Sequence, residues 1–401
     1  MRELIIVTHV PTEPVNAGFI PAAKVLGLAV VLLTDSPQIH REHFSQKGLT
    51  AYPDEIIACD VFNPLAVIDA ITRRKQRPAA IFSNSDYLQT STAIAAQYFG
   101  VAGKDWRTTY RAKNKAEMRA HLAMLGIDTL WHAVVCSSED VSAIQNAATF
   151  PCIVKPREGV ASQQVSLTHD HAELHAHCAK IWSTLPGQAL LLEEFIEGQL
   201  YTLETLGDDK DVVALGGFQV KLSPPPYFVE MEAIWGTDLP AQSEALVTDI
   251  IRRFGIGFGA CHTEFVMTDR GPRLIEINYR NIGDYREFLL RDTLEIPLFE
   301  IVLKTYLGEP LPALSPSSNA AWIRYFTSTS TGKLQGAPDA FTLSDDAFNL
   351  TYQPLRQIGD TIQTTHSNKD YLGVLRGKGN SREQLAAAMS KATDDLAWEI
   401  A

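Results

Sequence analysis

The 401-residue chain has no apolar run of about 18 residues, the length a membrane-spanning helix needs. Its first apolar stretch, Leu4 to Val7, is only as long as a strand and lacks the layout of a signal peptide. Cysteine is scarce. The five residues Cys59, Cys136, Cys152, Cys178 and Cys261 are scattered and odd in number, which fits reduced thiols better than a disulfide framework. Positive charge is short as well, with 35 Lys and Arg against 47 Asp and Glu and a net charge of -12. Such a surface repels nucleic acid and anionic membrane, although it does not set the sign of any one pocket. Internal repeats and low-complexity tracts are missing too. These absences lead to the expectation of a cytoplasmic protein with neither nucleic-acid nor membrane partners.

What is present is an ordinary globular composition, 45% apolar and 20% charged, in a chain long enough for two or three domains. The first hundred residues alternate strand-like pieces (Leu4 to Val7, Ala29 to Leu33, Ala79 to Ser83) with helix-like ones (Ala17 to Leu26, Leu65 to Arg74, Gln89 to Phe99). That alternation predicts a parallel sheet faced by helices. A helix over about Lys113 to Leu125 stops at Gly126. Strands are expected at Cys152–Lys155, Ala189–Glu193, Tyr201–Leu206, Val212–Val220, His262–Met267 and Arg273–Asn278. The Pro- and Ser-rich stretch from Gly308 to Asn319 reads as a linker to a smaller β-rich unit. That unit closes with a helix from Arg382 to Ile400, opened by a capping box of Ser381 and Gln384. The expected division is residues 1–112, 113–310 with a lid over about 113–190, and 311–401.

The most informative segment runs from His262 to Asn278. Two alternating runs flank Thr-Asp-Arg-Gly-Pro, so a β-hairpin is expected. A turn centred on Arg270 places Glu264 opposite Glu276 and His262 opposite Asn278. Alternation sends Phe265, Ile275 and Ile277 toward a core. Two carboxylates facing each other across a ladder repel, so a positive charge should sit over them. Magnesium suits a set of carboxylate and amide oxygens, and Arg280 stands close enough to meet a developing anion. A solvated hairpin face with scattered charges is the plainer alternative.

Three more segments carry signals that are modest alone. Pro151 to Lys155 reads as a strand ending in a lysine, followed by the small-residue loop Arg157 to Gln164, whose backbone amides could approach phosphate. Lys115 opens a helix, where the dipole disfavours a cation unless an anion is held there. Leu190 to Gly198 is a buried strand leading into a turn, which can offer backbone groups to a flat heterocycle. Each also reads as ordinary surface lysines, strands and turns. Two other patterns are set aside. His169, His171, His175 and His177 read as a solvated helix face, and Gly377-Lys378-Gly379 has the wrong spacing for a P-loop.

Taken in order, the Asn114-Lys115 helix, the strand ending Lys155-Pro156, the Glu193-Glu194-Phe195-Ile196 hinge, His262-Thr-Glu264 and Ile275-Glu-Ile-Asn-Tyr-Arg280 together resemble the ATP-grasp superfamily over roughly residues 1 to 310. The resemblance implies a mixed α/β and α+β fold: a Rossmann-like parallel-sheet domain, a central nucleotide-clamping domain and a small β-rich C-terminal unit. It implies that Lys115, Lys155 and Ser162 meet ATP phosphates, and that Glu193, Glu194 and the backbone at Phe195 and Ile196 hold adenine. Glu264, Glu276 and Asn278 would ligate magnesium, with manganese as the alternative ion. Arg280 would steady the transferred phosphate. Leu200 stands where many relatives carry an acid for the ribose, which makes Glu204 the substitute.

The motifs look most like the amino-acid and dipeptide ligase branch, with a general likeness to siderophore-pathway ligases of the vibrioferrin type. The implied reaction activates a carboxylic acid as an acyl phosphate and couples it to an amine. Lys221, Tyr227, Glu230 and His262 are the substrate-side expectations, and a homodimer is expected because dimers are common in the superfamily. A carboxylase, a thioester-forming ligase and a non-catalytic nucleotide-binding regulator are the competing readings.

Overall fold

The protein is described from a computed structural model covering residues 2–46, 49, 51–236, 241–314 and 319–401. Its N-terminal part contains a four-stranded parallel sheet, ordered Glu55–Ala58, Ala29–Thr34, Glu3–Val7, Ala80–Phe82. The two central strands are almost wholly apolar and buried, as a sheet covered on both faces requires. The covering helices include Ile20–Val25, Pro64–Thr72 and Gln89–Phe99, the last ended by Gly100 in the left-handed region at φ 59°.

A four-stranded antiparallel sheet follows, ordered His132–Val135, Leu190–Glu194, Cys152–Pro156, Ser166–Thr168. Helices Ser138–Ala143 and His171–Thr184 cover it, and Cys152, Val154, Leu174, Cys178, Leu190 and Leu192 form its separate core. A ten-stranded antiparallel sheet makes the body of the molecule. It begins with the hairpin Gly271–Asn278 and Phe258–Thr268 and passes through Leu200–Asp208, Phe218–Leu222 and Glu230–Trp235. It continues without a break into Ala320–Thr327, Tyr371–Gly379, Phe348–Pro354 and Phe341–Ser344.

Several local expectations are corrected. The helix expected over about Lys113 to Leu125 is Lys115–Met124, and a further helix that was not expected, Trp106–Lys113, precedes it and shares Asn114 as cap. Its side chain accepts from the backbone N–H groups of Ala116 and Glu117, and this opens the second helix. The single strand read over Val212 to Val220 breaks into Val212–Gly216 and Phe218–Leu222. Glycine is needed at that break, because a Cβ on Gly217 would lie 1.9 Å from the Thr202 carbonyl oxygen. The last helix ends at Asp394, where two acids meet the unfavourable end of the dipole. The chain then turns back as Glu399–Ile400 to pair with Gly332–Gly336. Only half of the expected capping box forms there: the Ser381 hydroxyl accepts from Gln384 N–H. In the expected linker, residues 315–318 lie outside the described residues. Before them Leu311 donates its N–H to Asp208, and Leu311 and Leu314 pack on the main core.

Candidate active site

The hairpin brings the two carboxylates together as its pattern predicts. Glu264 pairs with Glu276, and His262 with Asn278. The route is different from the one expected. The strands close at Thr268 and Gly271, one residue early, and a bulge near Ile275 restores the register. The same bulge turns Ile275 toward a cavity of about 300 Å³, where it lines the wall beside Glu276, while Phe265 and Ile277 remain in the core.

Around this pair the charges are arranged in layers. Lys115 Nζ lies 2.8 Å from Glu276 Oε1 and donates to the Gly159 carbonyl at 2.8 Å. Its placement at the first helical position leaves it among acids, which hold its ammonium pKa above the usual value despite burial. On the other side Asn278 Nδ2 donates to Glu264 Oε1 at 3.2 Å. His262 bridges two acids, with Nδ1 2.8 Å from Glu204 and Nε2 3.4 Å from Glu264. Burial would lower the imidazole pKa, but Glu204 and then Glu264 outweigh it and raise the value to about 9. The ring is therefore cationic at neutral pH. Burial opposes ionisation of Glu264 too, and the His262 contact overcomes it and keeps the carboxyl below its ordinary range.

At the far end of the cavity Glu193 is 3% exposed and sits between two cations. Arg119 Nε donates to one oxygen at 2.9 Å, and Lys155 Nζ contacts the other. Burial would raise the Glu193 pKa, but Arg119 and Lys155 hold it near 2. Glu193 thus orients Lys155 as well as lining the cavity. Glu194, Phe195 and Ile196 follow it along the wall. Phe195 N–H is bound to the Pro151 carbonyl, so it is not free for a ligand. The loop after Lys155 completes this end with Gly159, Val160, Ser162 and Gln163. Ala161, Ser162 and Gln164 all have left-handed backbones, at φ 56°, 54° and 58°. Non-glycine residues hold such conformations only where their surroundings fix them, and they gather at functional loops.

The remaining expectations divide. Glu230 lines the cavity and ion-pairs with Arg286 at 2.6 Å. Leu200 is an apolar part of the wall. Glu204 is 3% exposed and is not part of the cavity lining; it accepts from Thr202 and holds His262. Lys221 points outward, 71% exposed, and pairs with Glu232. Tyr227 also leaves the cavity and stacks flat on His366, ring centroids 4.0 Å apart. Leu222, Ser223, Pro225 and Phe228 take their places in the lining. Arg280 lies beyond Asn278 with Nε 3.7 Å from Asp86, whose carboxylate also takes Lys113. Asp86 and Arg119 were not singled out from the sequence. Arg119 stands four residues after Lys115, on the same helix face, and that spacing was a usable signal.

The donor set can be tested against a divalent cation. Among the described residues no three His, Cys, Asp or Glu side chains gather as a self-sufficient metal site. Two carboxylates and one amide do converge. That set fits magnesium, a hard cation that takes few protein oxygens and completes its shell with water and substrate phosphates.

Residues 148–287 match the model of the ATP-grasp domain. That stretch carries both strands of the carboxylate hairpin. The chain is 23% identical to an uncharacterized protein of Sinorhizobium fredii, over all of this chain and 83% of that one. It is 27% identical to carnosine synthase 1 of Gallus gallus, over 75% of this chain and 34% of that protein, so it spans about a third of that relative's length. In structure it superposes on an L-amino acid ligase from Bacillus licheniformis with a TM-score of 0.79 at 19% identity, covering 100% of this chain and 99% of the other.

Proposed function

We propose that the protein is an ATP-dependent carboxylate–amine ligase. One observation carries the reading: Glu264 and Glu276 face each other across a hairpin, with Lys115, Asn278 and His262 on their oxygens, at one end of a cavity whose other end holds Lys155, Glu193 and the strained loop. The amide-forming relatives carnosine synthase and L-amino acid ligase support the choice of reaction.

In this reading a substrate carboxylate oxygen attacks the terminal phosphorus of ATP, the bond to ADP breaks, and an acyl phosphate forms. An amine nitrogen then attacks the acyl carbon and phosphate leaves. Lys155, fixed by Glu193, and Lys115 meet the phosphates. Glu264, Glu276 and the Asn278 amide oxygen would hold magnesium, which neutralises phosphate charge. Arg280, steadied by Asp86, stabilises the oxyanion of the tetrahedral intermediate. The apolar wall of Ile153, Leu200, Val266 and Ile275 excludes water from the acyl phosphate. Adenine lies against Glu194, Phe195 and Ile196, and the acid or amine reaches toward Glu230.

The test is magnesium-dependent phosphate release from ATP across amino acids and other carboxylic acids, each with and without amines. Release that requires both partners supports the ligase and identifies its substrates. Glu276→Ala should abolish that release, and full activity in this variant would remove the carboxylate pair from the mechanism.

A further inference from the structure

The segment between Ile362 and Tyr371 belongs to the C-terminal strands, yet its tip reaches the active-site loop. A short turn over Asn368–Asp370 is built firmly there. Ser367 and Asp370 form a reciprocal capping box, and Thr365 donates to Asp370 from both its backbone and its hydroxyl. Ser367 is fully buried, and Asn368 and Asp370 are nearly so. Asn368 is the contact point in two directions. Its backbone N–H donates to the carbonyl of Ala161, inside the left-handed stretch of the loop, at 3.0 Å. Its side-chain oxygen accepts from Glu230 N–H at 3.1 Å, and its side-chain nitrogen donates to Glu230 Oε1 at 3.2 Å.

We infer that Asn368 is a positioning residue that couples the phosphate-side loop, residues 159–165, to the substrate-side carboxylate Glu230. One residue reads both ends of the cavity. Its side chain uses both polar ends on Glu230, which fixes the direction of its amide plane. The neighbouring stack of His366 on Tyr227 fixes the approach of the turn to the Glu230 strand. The backbone N–H that emerges from this rigid turn then has one partner, Ala161 O. A ligand that settles Glu230 in this orientation therefore favours the docked loop, and by thermodynamic reciprocity a nucleotide that docks the loop favours that ligand. The functional consequence rests on the ligase reading: ATP is enclosed most firmly when the acid or amine is in place, which limits idle hydrolysis.

Two substitutions separate the two contacts. Asn368→Ala removes the side chain from Glu230 and keeps the N–H. Asn368→Pro removes both. Proline is tolerated at the first position of a helical turn, and Ser367 before it is already extended, at φ -138° and ψ 170°. Amide hydrogen exchange on the full chain reports the loop, where Gly159, Gln163 and Val165 each donate to a local carbonyl. Binding of MgATP reports the site. Asn368→Pro should speed exchange in the 159–165 peptide and weaken MgATP binding by roughly two- to tenfold, the equivalent of one net hydrogen bond, with Asn368→Ala in between. Exchange in Tyr371–Gly379 should stay as in the parent, which shows that the C-terminal strands are folded. Unchanged loop exchange and unchanged MgATP affinity in Asn368→Pro, with those strands protected, would overturn the inference. If Asn368→Pro unfolds them, Asn368→Ala decides on the same two readouts. A parent protein that fails to bind MgATP would strike the ligase reading instead, while loop exchange would still judge the contact.

Discussion

At the end of the cavity that holds Lys155, Arg119 and Glu193, each buried charge has a counter-charge in contact. Behind the wall that Glu230 lines, around Arg286 and its chain neighbour Glu287, the balance is different. Glu230 Oε2 and Arg286 Nη1 are close enough to form an ion pair, but neither has hydrogen-bond alignment. Both oxygens of Glu287 and Nε of Arg286 are buried without a hydrogen-bond partner among the described residues. Burial, reinforced by Asp284, pushes the Glu287 carboxyl up to about 8, so it is protonated at neutral pH. In the ligase reading the first of these is the nucleotide end, and its charges are already balanced and oriented. The layer behind Glu230 keeps polar groups without a protein partner among the described residues, a cost that the other end avoids.

Three substitutions test this contrast. The largest effect is expected from Arg119→Met, which leaves Glu193 buried with one partner in place of two. Chemical denaturation should show a loss of about 3–5 kcal/mol. A loss below about 1 kcal/mol would mean that the nucleotide end is no better balanced than the other. Glu287→Gln should act oppositely. Because the folded-state pKa lies above the unfolded one, the parent loses stability as pH rises from 4.5 toward about 8. The amide removes that slope, at most about 1.4 kcal/mol per pH unit, and changes nothing below pH 4.5. Identical pH profiles for parent and variant would show that Glu287 is already partnered. The smallest effect belongs to Lys221→Ala. Its exposed pairing with Glu232 predicts a change within about 0.5 kcal/mol, and unchanged MgATP affinity by calorimetry. A tenfold loss of affinity would return Lys221 to the site.

The contrast also explains what could be read from the sequence. Lys155, Glu193 and the carboxylate hairpin come from strands in order along the chain, where alternation and a lysine at a strand terminus are direct signals. The opposition of Glu264 and Glu276 followed from those rules. Two of the misses fall at bulges. The register slips between Lys221 and Leu222, with Leu222 in the cavity and Lys221 in solvent, and another slip near Ile275 brings that residue into the lining. A bulge reverses which side chain faces inward and has no strict sequence mark. Glu204 is a different case: it was chosen only to replace the acid missing at Leu200, and its carboxylate is taken up by Thr202 and His262 outside the cavity lining. Asp86, Arg286 and Asn368 come from three distant parts of the chain, and only tertiary packing joins them to the site.

The ladder that joins Glu230–Trp235 to Ala320–Thr327 pairs Glu232 with Arg324, Ala233 with Ile323 and Ile234 with Trp322. A plank made this way cannot fold along that seam without breaking main-chain bonds, so the last eighty residues and the hairpin with the paired carboxylates travel together. Among the described residues the smaller sheet that carries Lys155 and its loop pairs with no strand of that plank. It is joined to the rest of the chain by two short passages, residues 125–131 and 195–199, each of which turns at a glycine of positive φ, Gly126 and Gly198, so the chain itself ties the two sheets at only two points.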